Sequence, residues 1–158
     1  YAAIVTTVAS IEQDLGTPSV LVNNAGYDRF LPFLKTDPVM WEQLIAINLT
    51  GALNMHHIVL PKMVEAGGGR VINIASDAAR VGSSGEAVYA ACKAGLLGLS
   101  KTLARELATK NVTLNVVCPG PTDTALLKDV ADTARDPEKL LEAFLPEQTD
   151  TSLAHLER

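Results

Sequence analysis

Two cysteines in 158 residues, Cys92 and Cys118, stand far apart and form no Cys-x-x-Cys pair. Thiolate zinc ligation would need further ligands, and His56, His57 and His155 do not supply the spacing, so no metal is expected. A reduced, cytoplasmic setting is the simpler reading. Lysine and arginine occur singly against a net charge of −5, which argues against a nucleic-acid surface, because phosphate binding needs concentrated positive charge. The apolar runs are interrupted by Asn, Gly or charge well short of the roughly 18 residues a membrane span needs, so no membrane partner is expected. No signal peptide and no repeat is read either. The chain opens on Tyr1, already inside a helical pattern, and is expected to be a piece whose leading part lies elsewhere.

What is present is one domain's worth of sequence, 47% hydrophobic and 20% charged. Ile4, Val5, Val8, Ile11 and Leu15 recur at helical spacing over 1–15, and Gly16-Thr17-Pro18 stops the run. Val20-Leu21-Val22 reads as a short parallel strand covered on both faces, ending at Asn23-Asn24-Ala25-Gly26. Asp37 can cap a helix with Pro38 at its first position. That helix places Trp41, Leu44, Ile45, Leu49 and Ala52 on one face, runs toward Val64 and stops at Gly67-Gly68-Gly69. A strand follows at 71–75, then a small polar loop from Ser76 to Gly85. A long helix over 86–110 carries Leu96, Leu99, Leu103 and Leu107, and a third strand at 112–117 ends at Cys118-Pro119-Gly120. Helical stretches near 123–132 and 136–144 precede a polar tail. Strands alternating with helices predict an α/β doubly wound, mostly parallel sheet. Ligands of such sheets bind outside the carboxyl ends of the strands, here 23–26, 76–85 and 118–124.

Tyr89 and Lys93 stand four apart on the predicted helix and share a face. An ammonium beside a phenol favours the phenolate and would lower the Tyr89 pKa toward working pH, as general acid–base work requires. Such a pair arises often by chance, and a surface tyrosine packed on a lysine stem is the commoner case. Ser76 shifts the balance: it sits at a strand end thirteen positions before Tyr89, behind a loop that can fold back onto the helix start. Alone, it would read as an ordinary serine. Asn48 lies on the apolar helix face between Leu44 and Ala52, where a buried amide must find partners, as a structural clamp or as a polar relay to the site. Gly26 permits positive φ or close ligand approach after a buried strand. The turn Pro119-Gly120-Pro121-Thr122-Asp123-Thr124 is a rigid connector or a clamp on an amide or phosphate group. Arg29, Phe30 and Arg80 could meet a substrate, although solvated loop positions are the plainer reading.

Together Asn23-Asn24-Ala25-Gly26, Asn48 in Ile-Asn-Leu-Thr-Gly, Ser76, Tyr89-x-x-x-Lys93 and Pro119-Gly120 with Thr124 resemble the short-chain dehydrogenase/reductase family over about 1–144. The resemblance implies a Rossmann-like fold, incomplete here, with 1–146 as the catalytic part of one domain and 147–158 as an atypical tail. It implies Tyr89 as the acid/base, Lys93 lowering its pKa and binding the nicotinamide ribose, Ser76 polarising the substrate oxygen, and Asn48 holding a relay water. Asn24, Ala25 and Gly26 would border the cofactor's adenosine part, and Pro119, Gly120, Thr122 and Thr124 its nicotinamide and pyrophosphate side. The cofactor would be NAD, with NADP open, since the family's glycine-rich turn and the residue that chooses between them would lie before Tyr1. Residues 73–93 are similar to bacterial 2-hydroxycyclohexanecarboxyl-CoA dehydrogenases, which implies a β-hydroxyacyl-CoA substrate. The resemblance also implies a homodimer or homotetramer joined through the 39–64 and 86–110 helices. The alternative is a catalytically inactive relative serving as a binding or scaffold subunit.

Overall fold

The computed structural model describes residues 1–122. Helix α1 (Ala2–Leu15) leads into strand β1 (Val20–Asn23). Helix α2 (Pro38–Ile45) passes through a π-helical segment (Ala46–Thr50) into α3 (Gly51–Glu65), followed by β2 (Gly69–Ile74). A single short turn of helix, α4 (Ala78–Val81), precedes the long α5 (Ala87–Glu106) and β3 (Val112–Val117). The predicted helices near 123–132 and 136–144, Thr124 and the 147–158 tail lie outside the described residues.

The three strands form a parallel sheet in the order β1-β2-β3, and Leu21 pairs with Val71, which pairs with Leu114. The register fixes which side chains share a face, because a strand alternates with period two. Leu21, Val71 and Leu114 therefore point the same way, and α1, α3 and α5 pack onto them. The core gathers Val8 from α1, Leu21, Ile58, Val59, Leu60 and Met63 from α3, Val71 and Val112, with Leu103 and Leu107 of α5 at its margin. Each fully buried side chain of this size contributes about 1.5–3 kcal/mol of apolar transfer. The expectation that β1 is covered on both faces is corrected for the described residues. Val20 and Val22 are 55% and 51% exposed, because every described helix that contacts the sheet lies on the face of Leu21.

The Asp37 cap forms as its sequence suggests: its Oδ1 accepts the Met40 N–H at 2.9 Å, with Pro38 opening α2. Trp41 is pinned beside it, donating from Nε1 to Thr36 Oγ1 at 2.7 Å and stacking on Phe33 with ring centroids 5.7 Å apart. The single helix expected from Pro38 onward is interrupted by the π-helical segment, in which one extra residue enters the turn. The face changes accordingly: Met40, Leu44, Asn48, Ala52 and His56 are buried, while Ile45 is exposed. Pro38–Glu65 is a rod of 28 residues containing an 18-residue window with a mean hydropathy of 1.2, long and apolar enough by length and composition to cross a membrane, a test that core helices of soluble proteins also pass. Its buried Asn48 and His56 face the domain, as befits a core helix. The Ser76–Gly85 loop is also less irregular than expected, since it contains α4.

Candidate active site

The three strand ends open on one edge of the sheet, and β2 delivers Ser76 there. Ala75 N–H donates to the Val117 carbonyl at 2.8 Å and Asp77 N–H to the Pro119 carbonyl at 2.8 Å, so the backbone on both sides of Ser76 is tied to β3 and the turn after it. Ser76 Oγ accepts the Ala78 N–H at 3.2 Å, which aims the hydroxyl while leaving its own proton to donate. It faces the Tyr89 phenol, whose charged form it favours by hydrogen bonding.

One turn further along α5, Lys93 is 3% exposed, donates to the Ile74 carbonyl at 2.9 Å and lies 5.5 Å from the centroid of the Tyr89 ring. Burial lowers the Lys93 pKa, opposed by Cys92 and Asp28. The net shift of the Tyr89 phenol is upward rather than downward, and Lys93 is not among the groups that produce it. The phenol is pushed above its ordinary value chiefly by burial, against Ser76, and further up by the Asp28 and Glu86 charges. An i,i+4 spacing records proximity to a cation; it does not record how far the phenol is withdrawn from water.

The Asn48 amide ties the segment after β1 to the helix. Its Nδ2 donates to the Tyr27 carbonyl at 2.7 Å and to the Leu44 carbonyl at 2.9 Å, and its Oδ1 accepts the Tyr27 N–H at 3.1 Å. Both amide protons are thereby used, and the segment leaving β1 is fastened to the π turn. Gly26 sits where this clamp meets Lys93: a Cβ there would come within 3.3 Å of both Asn48 Oδ1 and Lys93 Nζ. The turn is glycine because the backbone passes between these two groups. Asn24 and Ala25 are exposed beside it, and a cavity of about 200 Å³ lined by Ile4, Asn23, Ala25, Ile47, Asn48 and Met55 lies behind. On the other flank Pro119 is half-buried, Gly120 is exposed, and Thr122 Oγ1 turns back to the Gly120 carbonyl at 3.0 Å. Arg29 and Arg80 are exposed and Phe30 is half-buried.

The donor set suits a dinucleotide's nicotinamide half. Among the described residues Lys93 has one acceptor, Ile74, so two of its three N–H groups remain for ribose hydroxyls. The close passage of Gly26 keeps the approach to that ammonium free of side chains.

Sequence reading missed two groups. Asp28 is 7% exposed, with Oδ1 accepting the Arg29 N–H at 2.7 Å, and its carboxyl lies against that of Glu86. Burial, reinforced by Glu86, pushes Asp28 up to about 8. The second is a polar seam beneath the site. Asn23 Nδ2 donates to Asn73 Oδ1 at 2.8 Å, and Asn73 Nδ2 donates to Ser100 Oγ at 2.8 Å and faces His56 Nε2 at 3.2 Å. His56 Nδ1 stands 2.6 Å from the Ala52 carbonyl, which places the proton on Nδ1 and leaves Nε2 to accept from Asn73. Ser100 in turn donates to the Leu96 carbonyl at 2.7 Å. Two signals were legible: Asn73 interrupts the apolar run Val71-Ile72-Ile74, and His56 falls on the Asn48 and Ala52 face.

Residues 1–135 match the short chain dehydrogenase family. An acetoacetyl-CoA reductase of Rhizobium meliloti (strain 1021) is 43% identical over 148 residues, covering 93% of this chain and 59% of the relative. Nodulation protein G of Azospirillum brasilense is 40% identical over 153 residues, covering 94% and 62%. A 3-oxoacyl-(acyl-carrier-protein) reductase of Escherichia coli (strain K12) is 37% identical over 134 residues, covering 85% and 55%. The crystal structure of a protein from Burkholderia xenovorans, described as a short-chain dehydrogenase/reductase, matches with a TM-score of 0.86 at 31% identity, covering 97% of this chain and 59% of that one. The chain thus spans somewhat over half the length of these relatives. Their printed names speak of acetoacetyl-CoA and 3-oxoacyl substrates, a broader class than the alicyclic thioester suggested by residues 73–93. With the sheet order and the strand-end geometry in agreement, the chain belongs to the short chain dehydrogenase family.

Proposed function

We propose that this chain carries the proton-transfer half of an NAD(P)-dependent oxidoreductase that interconverts a β-keto and a β-hydroxy acyl thioester. The observation that carries the reading is the convergence of the Ser76 hydroxyl and the Lys93 ammonium on the Tyr89 phenol. The nicotinamide cofactor, when bound, supplies or takes the hydride at the carbinol carbon. Ser76 donates a hydrogen bond to the substrate oxygen and holds it beside the phenol. Tyr89 O–H then gives that oxygen its proton as negative charge develops there. Lys93 would hold ribose hydroxyls, and Asn24, Ala25 and Gly26 with Pro119, Gly120, Thr122 and Thr124 would border the rest of the cofactor. The buried phenol holds the proton that reduction consumes, and relatives are named as reductases.

Within this class the resemblance of residues 73–93 supports a 2-oxocyclohexanecarboxyl-CoA or its alcohol, with NAD as the cofactor. The free cysteines support a cytoplasmic setting. Exposed Ile45, Ile47 and Leu53 on the 38–65 rod support a homodimer or homotetramer.

The test is hydride transfer by the full-length protein and its Tyr89→Phe variant, with acetoacetyl-CoA and 2-oxocyclohexanecarboxyl-CoA compared using NADH and NADPH. Tyr89→Phe is expected to lower kcat by about 10²–10⁴-fold with the fold retained. Activity within a few-fold of the parent overturns the role given to Tyr89. A preference for the straight-chain thioester overturns the alicyclic substrate alone.

A further inference from the structure

We propose that Asp28 is a positioning residue for the Tyr89 proton step, its buried carboxyl meeting Glu86 and Tyr89 in one cleft where the 27–31 segment docks on the start of α5. This rests on the role of Tyr89 proposed above and extends it to residues outside the tyrosine–lysine–serine set.

The geometry begins with what Glu86 does not do. It occupies the N-cap position of α5, where glutamate is not a favoured cap, and its carboxyl bonds no backbone N–H of the first turn. It turns instead to Asp28. The two segments are stitched around this contact. Leu31 N–H donates to the Gly85 carbonyl at 2.9 Å, and the Phe30 ring lies so close over Gly85 that a Cβ there would meet it at 2.8 Å. Gly85 has φ +91°, so both the ring contact and the backbone conformation call for glycine. Asp28, Arg29, Leu31, Gly85, Glu86 and Tyr89 line one narrow cleft, whose far wall is Met40 and Leu44 of α2.

Burial first, and the neighbouring Glu86 second, disfavour the ionised Asp28 carboxylate, so Asp28 keeps its proton well above the usual carboxylate range. Among the described residues the titratable and charged groups facing Asp28 are few. Arg29 follows it in the loop and contributes its backbone N–H, while its own side chain is solvent-exposed. From α5 come Glu86, Tyr89 and Lys93, and Lys93 is the weakest of the influences on Asp28. Cys92 acts on Lys93. The α2 residues in the cleft, Met40 and Leu44, add no charge. With Asp28 protonated, Tyr89 feels less negative charge. When Asp28 ionises near pH 8 that charge rises, and the phenol holds its proton more firmly. Asp28 thus keeps Tyr89 a proton donor as the medium becomes alkaline.

The experiment is a pH titration of the full chain by NMR, with 13C labels on tyrosine Cζ and on Asp and Glu side-chain carboxyls. The Tyr89 resonance is identified by its loss in Tyr89→Phe. In the parent the Asp28 carboxyl should titrate at about 8. In Glu86→Gln its midpoint should fall toward the ordinary carboxylate range. In Asp28→Asn the Tyr89 midpoint should fall by about one pH unit, and Asp28→Glu should restore most of it. The alkaline limb of kcat for reduction should move down with it. An Asp28 that titrates in the ordinary range in the parent overturns the proposal. So does a Tyr89 midpoint unchanged in Asp28→Asn. Glu86→Gln leaves the loop untouched and carries the same test if Asp28→Asn does not fold. These midpoints are read without turnover, so their failure is distinct from that of the proposed activity.

Discussion

Two groups of polar side chains are withdrawn from water in this molecule, and they are handled in opposite ways. Beneath the sheet edge, Asn23, Asn73, His56 and Ser100 form a neutral chain in which each donor meets an acceptor and the ends run into the Ala52 and Leu96 carbonyls. Around the cleft, Asp28 and Lys93 are buried and Glu86 and Tyr89 half-buried with their charges imperfectly matched, and Asp28, Tyr89 and Lys93 are all displaced toward their neutral forms. A saturated neutral network stiffens a fold and has no proton to exchange. Groups held away from their ordinary protonation state are where proton chemistry becomes possible. Burial alone therefore does not mark a site; burial with unbalanced charge does.

The sharpest way to break this contrast is Asn73→Ala. It leaves the Ser100 hydroxyl, His56 Nε2 and the Asn23 amide short of partners and opens space at a residue that is fully buried. We expect a loss of roughly 3 kcal/mol in urea unfolding, with the kcat of the remaining folded protein close to that of the parent. A large fall in kcat with little loss of stability would show that the seam belongs to the chemistry. Ser76→Ala should do the reverse. It removes a donor from the developing oxyanion and is expected to lower kcat by about 10²-fold, with the unfolding midpoint nearly unchanged.

The smallest effect concerns pH. The His56 pKa is lowered by burial, partly offset by the bond to Ala52, and a second proton would set Nε2–H against the Asn73 donor. The unfolded chain then binds a proton more readily than the folded one. The stability from neutral His56 is complete above about 6.5 and is lost progressively as pH falls below that value. Urea unfolding at pH 7.5 and 5.5 should show the decline, and His56→Gln should flatten that part of it. An identical decline in the variant would assign the effect to other groups.

Much of this was legible along the chain because its causes are local. The Asp37-Pro38 start of α2, the apolar runs of the three strands and the helical spacing of Ile4, Val8 and Ile11 each depend on neighbours within a turn or two. Ser76, Tyr89 and Lys93 were legible as a set because strand end and helix start are fixed by those elements. Asp28 and Glu86 were not, since nothing near either residue records that a loop and a helix start meet across 58 positions of sequence. The direction of the Tyr89 shift was missed for a related reason, because it depends on how much protein surrounds the phenol. The one-sided cover of β1 also escaped a reading based on its unbroken apolar run.

The π-helical segment at Ala46–Thr50 has a consequence for how this scaffold tolerates change. One extra residue in a turn acts as a phase shift of about 100° between the rods on either side. The leading rod can be aimed at the cleft and the trailing rod at the sheet as separate adjustments, with Asn48 at the joint. Deleting a single residue between 46 and 50 would straighten the helix and rotate everything after it, swinging His56 and Met63 off the sheet together. By the same token, point substitutions on the leading rod can reshape the cleft without disturbing the sheet-facing rod, so the joint separates the part of the helix that can drift from the part that cannot.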